Sequence, residues 1–72
     1  MQPQEQAKII VARYRHLLHD VAPIHEDNLG KFIFIATIAK ECGIFLCEQA
    51  QKTADIRGFN YWADVIEEIQ AL

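Results

Sequence analysis

The sequence predicts an all-α fold, arranged as a compact bundle of three to four short helices. Apolar residues recur at three- and four-residue spacing over most of the chain, which is the period of a helix with one buried face. Pro23, Gly43 and Gly58 stand between the periodic stretches, where helices are expected to end. A chain of 72 residues has room for one domain. We therefore expect residues 1–72 to form a single helical domain.

The first helix is predicted over residues 3–20. Pro3 suits the first helical position, and Glu5 suits the positive end of the helix dipole. Pro23 disfavours helical geometry at Ala22, so the helix should end nearby. Its apolar stripe consists of Ala7, Ile10, Val11, Tyr14, Leu17, Leu18 and Val21.

The second helix is predicted over residues 29–42, with Asp27 or Asn28 as its N-cap and Gly43 as its stop. Apolar residues cover well over half of its circumference, so we expect the other helices to pack around it. Phe34 lies at the edge of the narrow polar wedge, and it is the aromatic residue that we expect to be exposed.

A β-hairpin is the alternative for residues 32–47. Residues 32–35 and 44–47 have strand propensity, and Gly43 between them could serve a turn. Ala36 and Ala39 are good helix formers and favour the helical interpretation.

Two further helices are predicted after Gly43. The third covers residues 44–57 and ends at Gly58, with Phe45 and Ile56 lying away from an inner face of Leu46, Cys47, Ala50 and Ala54. The fourth covers residues 61–72 and is capped by Asn60. Its apolar stripe consists of Trp62, Val65, Ile66, Ile69 and Leu72.

Composition points to a protein partner. Hydrophobic residues make up 51% of the chain, and a small domain has much surface and little interior. Some apolar side chains should stay exposed unless another chain covers them. We expect the partner to be another protein or a second copy of this chain, with a homo-oligomer as the simplest case.

Charge and hydropathy argue against other classes of partner. The formal net charge is −3, whereas nucleic-acid binders usually carry a basic footprint, so nucleic acid is not an expected partner. Residues 1–6 do not resemble a signal peptide, and no apolar run approaches the length of a membrane span. We expect a cytoplasmic protein with no membrane contact, located in the host cytoplasm if a virus encodes it.

Metal, cofactor and catalytic sites are not expected. Cys42 and Cys47 are five residues apart, so on one helix they face different sides. His16 and His19 share a helix face, but a structural zinc ion needs about four ligands, and His25 would have to come from the connector. The chain has no serine, and its glycines are too far apart to form a phosphate-binding loop. We therefore expect neither an enzyme nor a bound cofactor.

Two functional hypotheses follow from the sequence. The first is a small, non-enzymatic regulatory module, of the inhibitor or adaptor type, that occupies the surface of a partner protein through an apolar patch. Its candidate contact residues are Phe34, Phe45, Ile56 and Tyr61. The alternative is a DNA-binding regulator of the helix-turn-helix type, because Ala39 and Gly43 have the Ala-x-x-x-Gly spacing of that motif and Gly43 would lie at its turn.

Overall fold

Three α-helices make up nearly all of the chain that the structure describes. The structure, a computed structural model, describes residues 1–21 and 28–72, and it describes the side chains of residues 1–19 and 34–72. The helices are α1 (Pro3–Val21), α2 (Asn28–Thr53) and α3 (Ile56–Ala71). The prediction of an all-α fold is therefore confirmed.

The first helix agrees with its prediction to within one residue. Ala7, Ile10 and Val11 are buried, and Tyr14 and Leu18 are half-buried against them. Because these residues recur at helical spacing, they form one inward face along α1. The predicted stripe is wider than the buried face, since Leu17 is 45% exposed.

The second and third predicted helices are one continuous helix. α2 has no break at Gly43, so the predicted stop there is wrong. The predicted helix end at residues 57–58 is also wrong, because α2 ends at Thr53 and α3 begins at Ile56. The hairpin alternative for residues 32–47 is wrong as well, because that whole segment is helical. The turn on which the helix-turn-helix alternative relied is likewise absent, since Gly43 lies within α2. Of the two predicted N-caps, Asp27 lies outside the described residues, and Asn28 is the first residue of α2 rather than a cap preceding Leu29.

Close packing explains the presence of Gly43 in the middle of a helix. Its φ angle is not positive, so it does not adopt the left-handed conformation of a helix C-cap. A Cβ atom at this position would lie 2.9 Å from Ile10 Cγ2 on α1 and 3.2 Å from Ile69 Cδ1 on α3. The missing side chain thus allows both neighbouring helices to approach α2.

The last helix starts earlier than the sequence predicts. Its N-cap is Asp55, whose Oδ1 atom accepts a hydrogen bond from the Gly58 backbone N–H at 2.8 Å. Asn60, the predicted cap, lies inside α3, and Gly58 lies in its first turn. The predicted core stripe is present, with Val65 and Ile69 fully buried, Trp62 and Ile66 half-buried and Leu72 exposed at the end.

Each of the three helices packs against the other two, and the body they form measures 46 × 20 × 16 Å. The shared core consists of Ala7, Ile10, Val11, Ala39, Cys47, Val65 and Ile69. Within the described part of the chain, none of the helices combines the length and the apolar character that crossing a membrane requires.

Candidate functional site

An exposed apolar row runs along the outer side of α2. Phe34 is 64% exposed and Phe45 is 62% exposed. They are eleven residues apart, which is three turns of an α-helix plus about 20°, so they lie on one face about 16 Å apart. Ile38, which is half-buried, lies one turn after Phe34 on the same side. We call these three residues the α2 outer row.

Charged side chains border the α2 outer row. Glu41 and Glu48 are exposed on α2, four residues before and three residues after Phe45. At these spacings both carboxylates lie on the same side of the helix as the aromatic ring. Lys52 is exposed seven residues, or about two helical turns, after Phe45. An apolar centre with a charged rim is the arrangement found in many protein–protein interfaces.

A second exposed apolar pair lies at the start of α3. Ile56 is 77% exposed and Phe59 is 49% exposed, and their three-residue separation places them on adjacent turns of one helix face. We call them the α3 N-terminal pair. Sequence reasoning identified Ile56 and missed Phe59. It assigned residue 59 to a loop, and the Asp55 cap followed by helical spacing was the signal that could have identified the residue.

Tyr61 lies with the core rather than with the exposed residues. Its ring is half-buried and meets Trp62 edge to face, with ring centroids 5.2 Å apart and an interplanar angle of 81°. Its hydroxyl donates a 3.5 Å hydrogen bond to Gln6 Oε1 on α1. The structure therefore groups Phe34 with Phe45 on α2, places Ile56 at the first residue of α3, and packs Tyr61 against the core.

The cysteines occupy different environments. Cys47 is buried in the core, whereas Cys42 is half-buried, and both are free thiols. Burial raises the pKa of the Cys47 thiol, and the nearby Glu48 carboxylate raises this pKa further. A buried thiol that is kept protonated is a poor nucleophile.

Metal-ligating side chains do not cluster in the described part of the chain. No three His, Cys, Asp or Glu residues there come close enough together to hold an ion. His16 is exposed and His19 is half-buried on α1, and His25 lies outside the described residues.

Comparison of the chain with known protein families, with curated proteins and with solved structures gives no match.

Proposed function

We propose that this chain is a non-enzymatic, protein-binding regulatory module that occupies the surface of a partner protein. The observation that carries the proposal is the α2 outer row, where two phenylalanine rings on one helix face are each more than half exposed. Exposed aromatic residues are the usual anchors of protein interfaces, because burying a ring removes a large apolar area from water.

Geometry and charge indicate the kind of partner. A helix that presents anchors about 16 Å apart on one face suits an apolar groove in another protein. Glu41 and Glu48 border the row, so the complementary groove carries basic side chains at its rim. A symmetric contact between two copies through this row would bring the carboxylates of the two copies together, which favours a different protein as the occupant.

Site-specific photo-crosslinking tests this proposal. A photoreactive phenylalanine analogue is placed in the full chain at position 34 or 45, and in a matched control at position 9. Ile9 is 51% exposed on α1, away from the row, so the control has the same chemistry at a similar exposure. We expect one discrete adduct in an extract of the source cells from positions 34 and 45, and none from position 9.

Competition identifies the surface that forms the adduct. Unlabelled wild-type chain should abolish the adduct, whereas a chain carrying Phe34→Ser and Phe45→Ser should not. Adducts of equal yield from all three positions, or the absence of any adduct from positions 34 and 45, would contradict the proposal.

Light scattering over a dilution series separates a different partner from a second copy. If the row binds another protein, the wild-type chain and the Phe34→Ser/Phe45→Ser chain should have the same mass. A wild-type dimer that the two substitutions dissociate would instead identify this chain as its own partner, and the Ile9→Ser chain should then remain dimeric.

A further inference from the structure

A groove between α1 and α2 collects three of the seven Lys and Arg side chains of this acidic chain. Leu72, which follows α3, also lines the groove. The residues that line it are Lys8, Val11, Ala12 and Arg15 from α1, and Ala36 and Lys40 from α2.

Helical spacing places these residues together. The four residues of α1 stand at positions i, i+3, i+4 and i+7, which is one face of a helix. Ala36 and Lys40 are one turn apart on α2. Because Ala12 and Ala36 have small side chains, they leave a cavity of about 290 Å³. This volume is close to the lower end of small-molecule sites, which is about 300 Å³.

The charged side chains that line the groove are all basic, although the protein carries net negative charge. No Asp or Glu is among its lining residues, and Lys40 is half-buried beside the exposed Lys8 and Arg15. A concave surface lined by charges of one sign concentrates their electric field and attracts counter-ions. Three of the ten acidic residues, Asp64, Glu67 and Glu68, line a second groove next to residues 2–4.

We propose that the groove between α1 and α2 binds a small organic anion with a phosphate or carboxylate head and a short apolar body. The guanidinium of Arg15 can contact two oxygens of such a head, and Lys8 and Lys40 supply two further positive charges. Val11, Ala12 and Ala36 form an apolar floor for the body. Lys40 lies about 120° around α2 from Phe34, so this site is separate from the α2 outer row and does not depend on the function proposed for it.

Four probes test the two parts of the ligand separately. Phenyl phosphate and hexanoate have both a head and a body, inorganic phosphate has only a head, and hexanol has only a body. Each is titrated into the isotope-labelled wild-type chain at constant ionic strength, and backbone amide shifts are followed by NMR. We expect saturable shifts around residues 8–15 and 36–40 with phenyl phosphate or hexanoate, weaker binding of inorganic phosphate and no binding of hexanol.

Two variants identify the groups that bind. Arg15→Gln should weaken binding about tenfold or more, because it removes a positive charge and the two charge-assisted hydrogen bonds that the guanidinium can donate. Ala12→Leu should abolish binding without changing any charge, because its side chain would fill the groove. Ala12 is exposed, so the fold should tolerate this change, and an unchanged helical circular dichroism spectrum checks that it does.

The matched control is Lys52→Gln, which removes a cation that does not line the groove and should leave the affinity unchanged. Three results would each overturn the proposal. Amide shifts could be as large at Lys52 as in the groove, or inorganic phosphate could bind as tightly as phenyl phosphate. The third such result is an Ala12→Leu chain that binds like wild type.

Discussion

Gly43 of α2 and Ile10 of α1 approach so closely that a Cβ atom at position 43 would lie 2.9 Å from Ile10 Cγ2. Real Cβ atoms essentially never show a contact this short, so any side chain here must displace its neighbours. The same Cβ atom at position 43 would lie 3.2 Å from Ile69 Cδ1 on α3. One glycine thus sets the spacing of α2 to both other helices.

Gly43→Ala is expected to lower the free energy of unfolding by about 1 kcal/mol. Alanine in a helix interior is favoured over glycine by about 1 kcal/mol, but overpacking costs about 1–3 kcal/mol. Urea denaturation measures the difference, with the exposed Gln49→Ala on the same helix as control. A Gly43→Ala chain more stable than wild type would show that the helices can separate at no cost.

Removal of the α3 N-cap is expected to destabilise the protein. Asp55→Ala removes the carboxylate that accepts the Gly58 N–H and should lower the free energy of unfolding by about 1 kcal/mol. Asp55→Ser should retain most of the stability. Asn60→Ala should change stability by less than about 0.5 kcal/mol because Asn60 is an exposed residue within α3. The reverse ranking of Asp55→Ala and Asn60→Ala in thermal melts would favour a helix that starts near residue 60.

Tyr61 is expected to stabilise the fold through its ring rather than through its hydroxyl. Tyr61→Phe removes only a 3.5 Å hydrogen bond to Gln6 and should cost less than about 0.5 kcal/mol. Tyr61→Ala also removes the contact with Trp62 and should cost about 2 kcal/mol or more. Denaturant titrations followed by Trp62 fluorescence measure both changes. Similar losses from the two substitutions would contradict the assignment of the ring to the core.

The two thiols should react at different rates. A disulfide reagent at mildly alkaline pH should modify the half-buried Cys42 before Cys47, because burial excludes the reagent and the raised pKa keeps the Cys47 thiol protonated. Separate Cys42→Ala and Cys47→Ala chains assign the two rates by mass spectrometry. Faster reaction at Cys47 would show that the core opens and exposes Cys47 before the reagent modifies Cys42.

The raised pKa of Cys47 also predicts a pH dependence of stability. A folded state that holds the thiol protonated is stabilised relative to the unfolded state below the unfolded thiol's pKa, and this stabilisation is lost as the pH rises through the higher folded pKa. The free energy of unfolding should therefore fall more steeply with alkaline pH in wild type than in Cys47→Ala. Identical slopes of the free energy of unfolding against pH in the two proteins would contradict the raised pKa of Cys47.

Helical periodicity predicted the elements in which one face is plainly apolar. The stripe through Ala7, Ile10 and Val11 predicted α1 almost to its last residue. The stripe through Val65 and Ile69 predicted the buried face of α3. In both segments polar residues predominate on the outer face, so the pattern identifies the inner one.

Gly43 shows why the remaining boundaries could not be predicted. Glycine ends helices often, and local reasoning therefore places a stop there. The reason for this glycine is instead the proximity of Ile10 and Ile69, which are 33 and 26 residues away along the chain. The α3 boundary was missed for a different reason: Asp55 and Asn60 are both good caps, and residue type alone does not rank them.

Long-range packing also limited the prediction of the sites. Amphipathicity on α2 was sufficient to identify Phe34 as exposed, because Phe34 lies at the edge of the polar wedge that contains Thr37 and Glu41. The basic groove needed knowledge of which face of α1 lies beside Ala36 and Lys40. That relationship depends on how the two helices cross, and the sequence of either helix alone does not determine the crossing.

The buried positions Ala39, Gly43 and Cys47 follow one another at four-residue intervals along α2. Alanine and glycine have no side-chain rotamers to lose, so little side-chain conformational entropy opposes the docking of this part of the helix. Small side chains also form lower ridges than leucine or phenylalanine, so they specify the register of packed helices less strongly. The register of the three helices therefore depends on the few larger residues that contact this column, Ile10 and Ile69 among them.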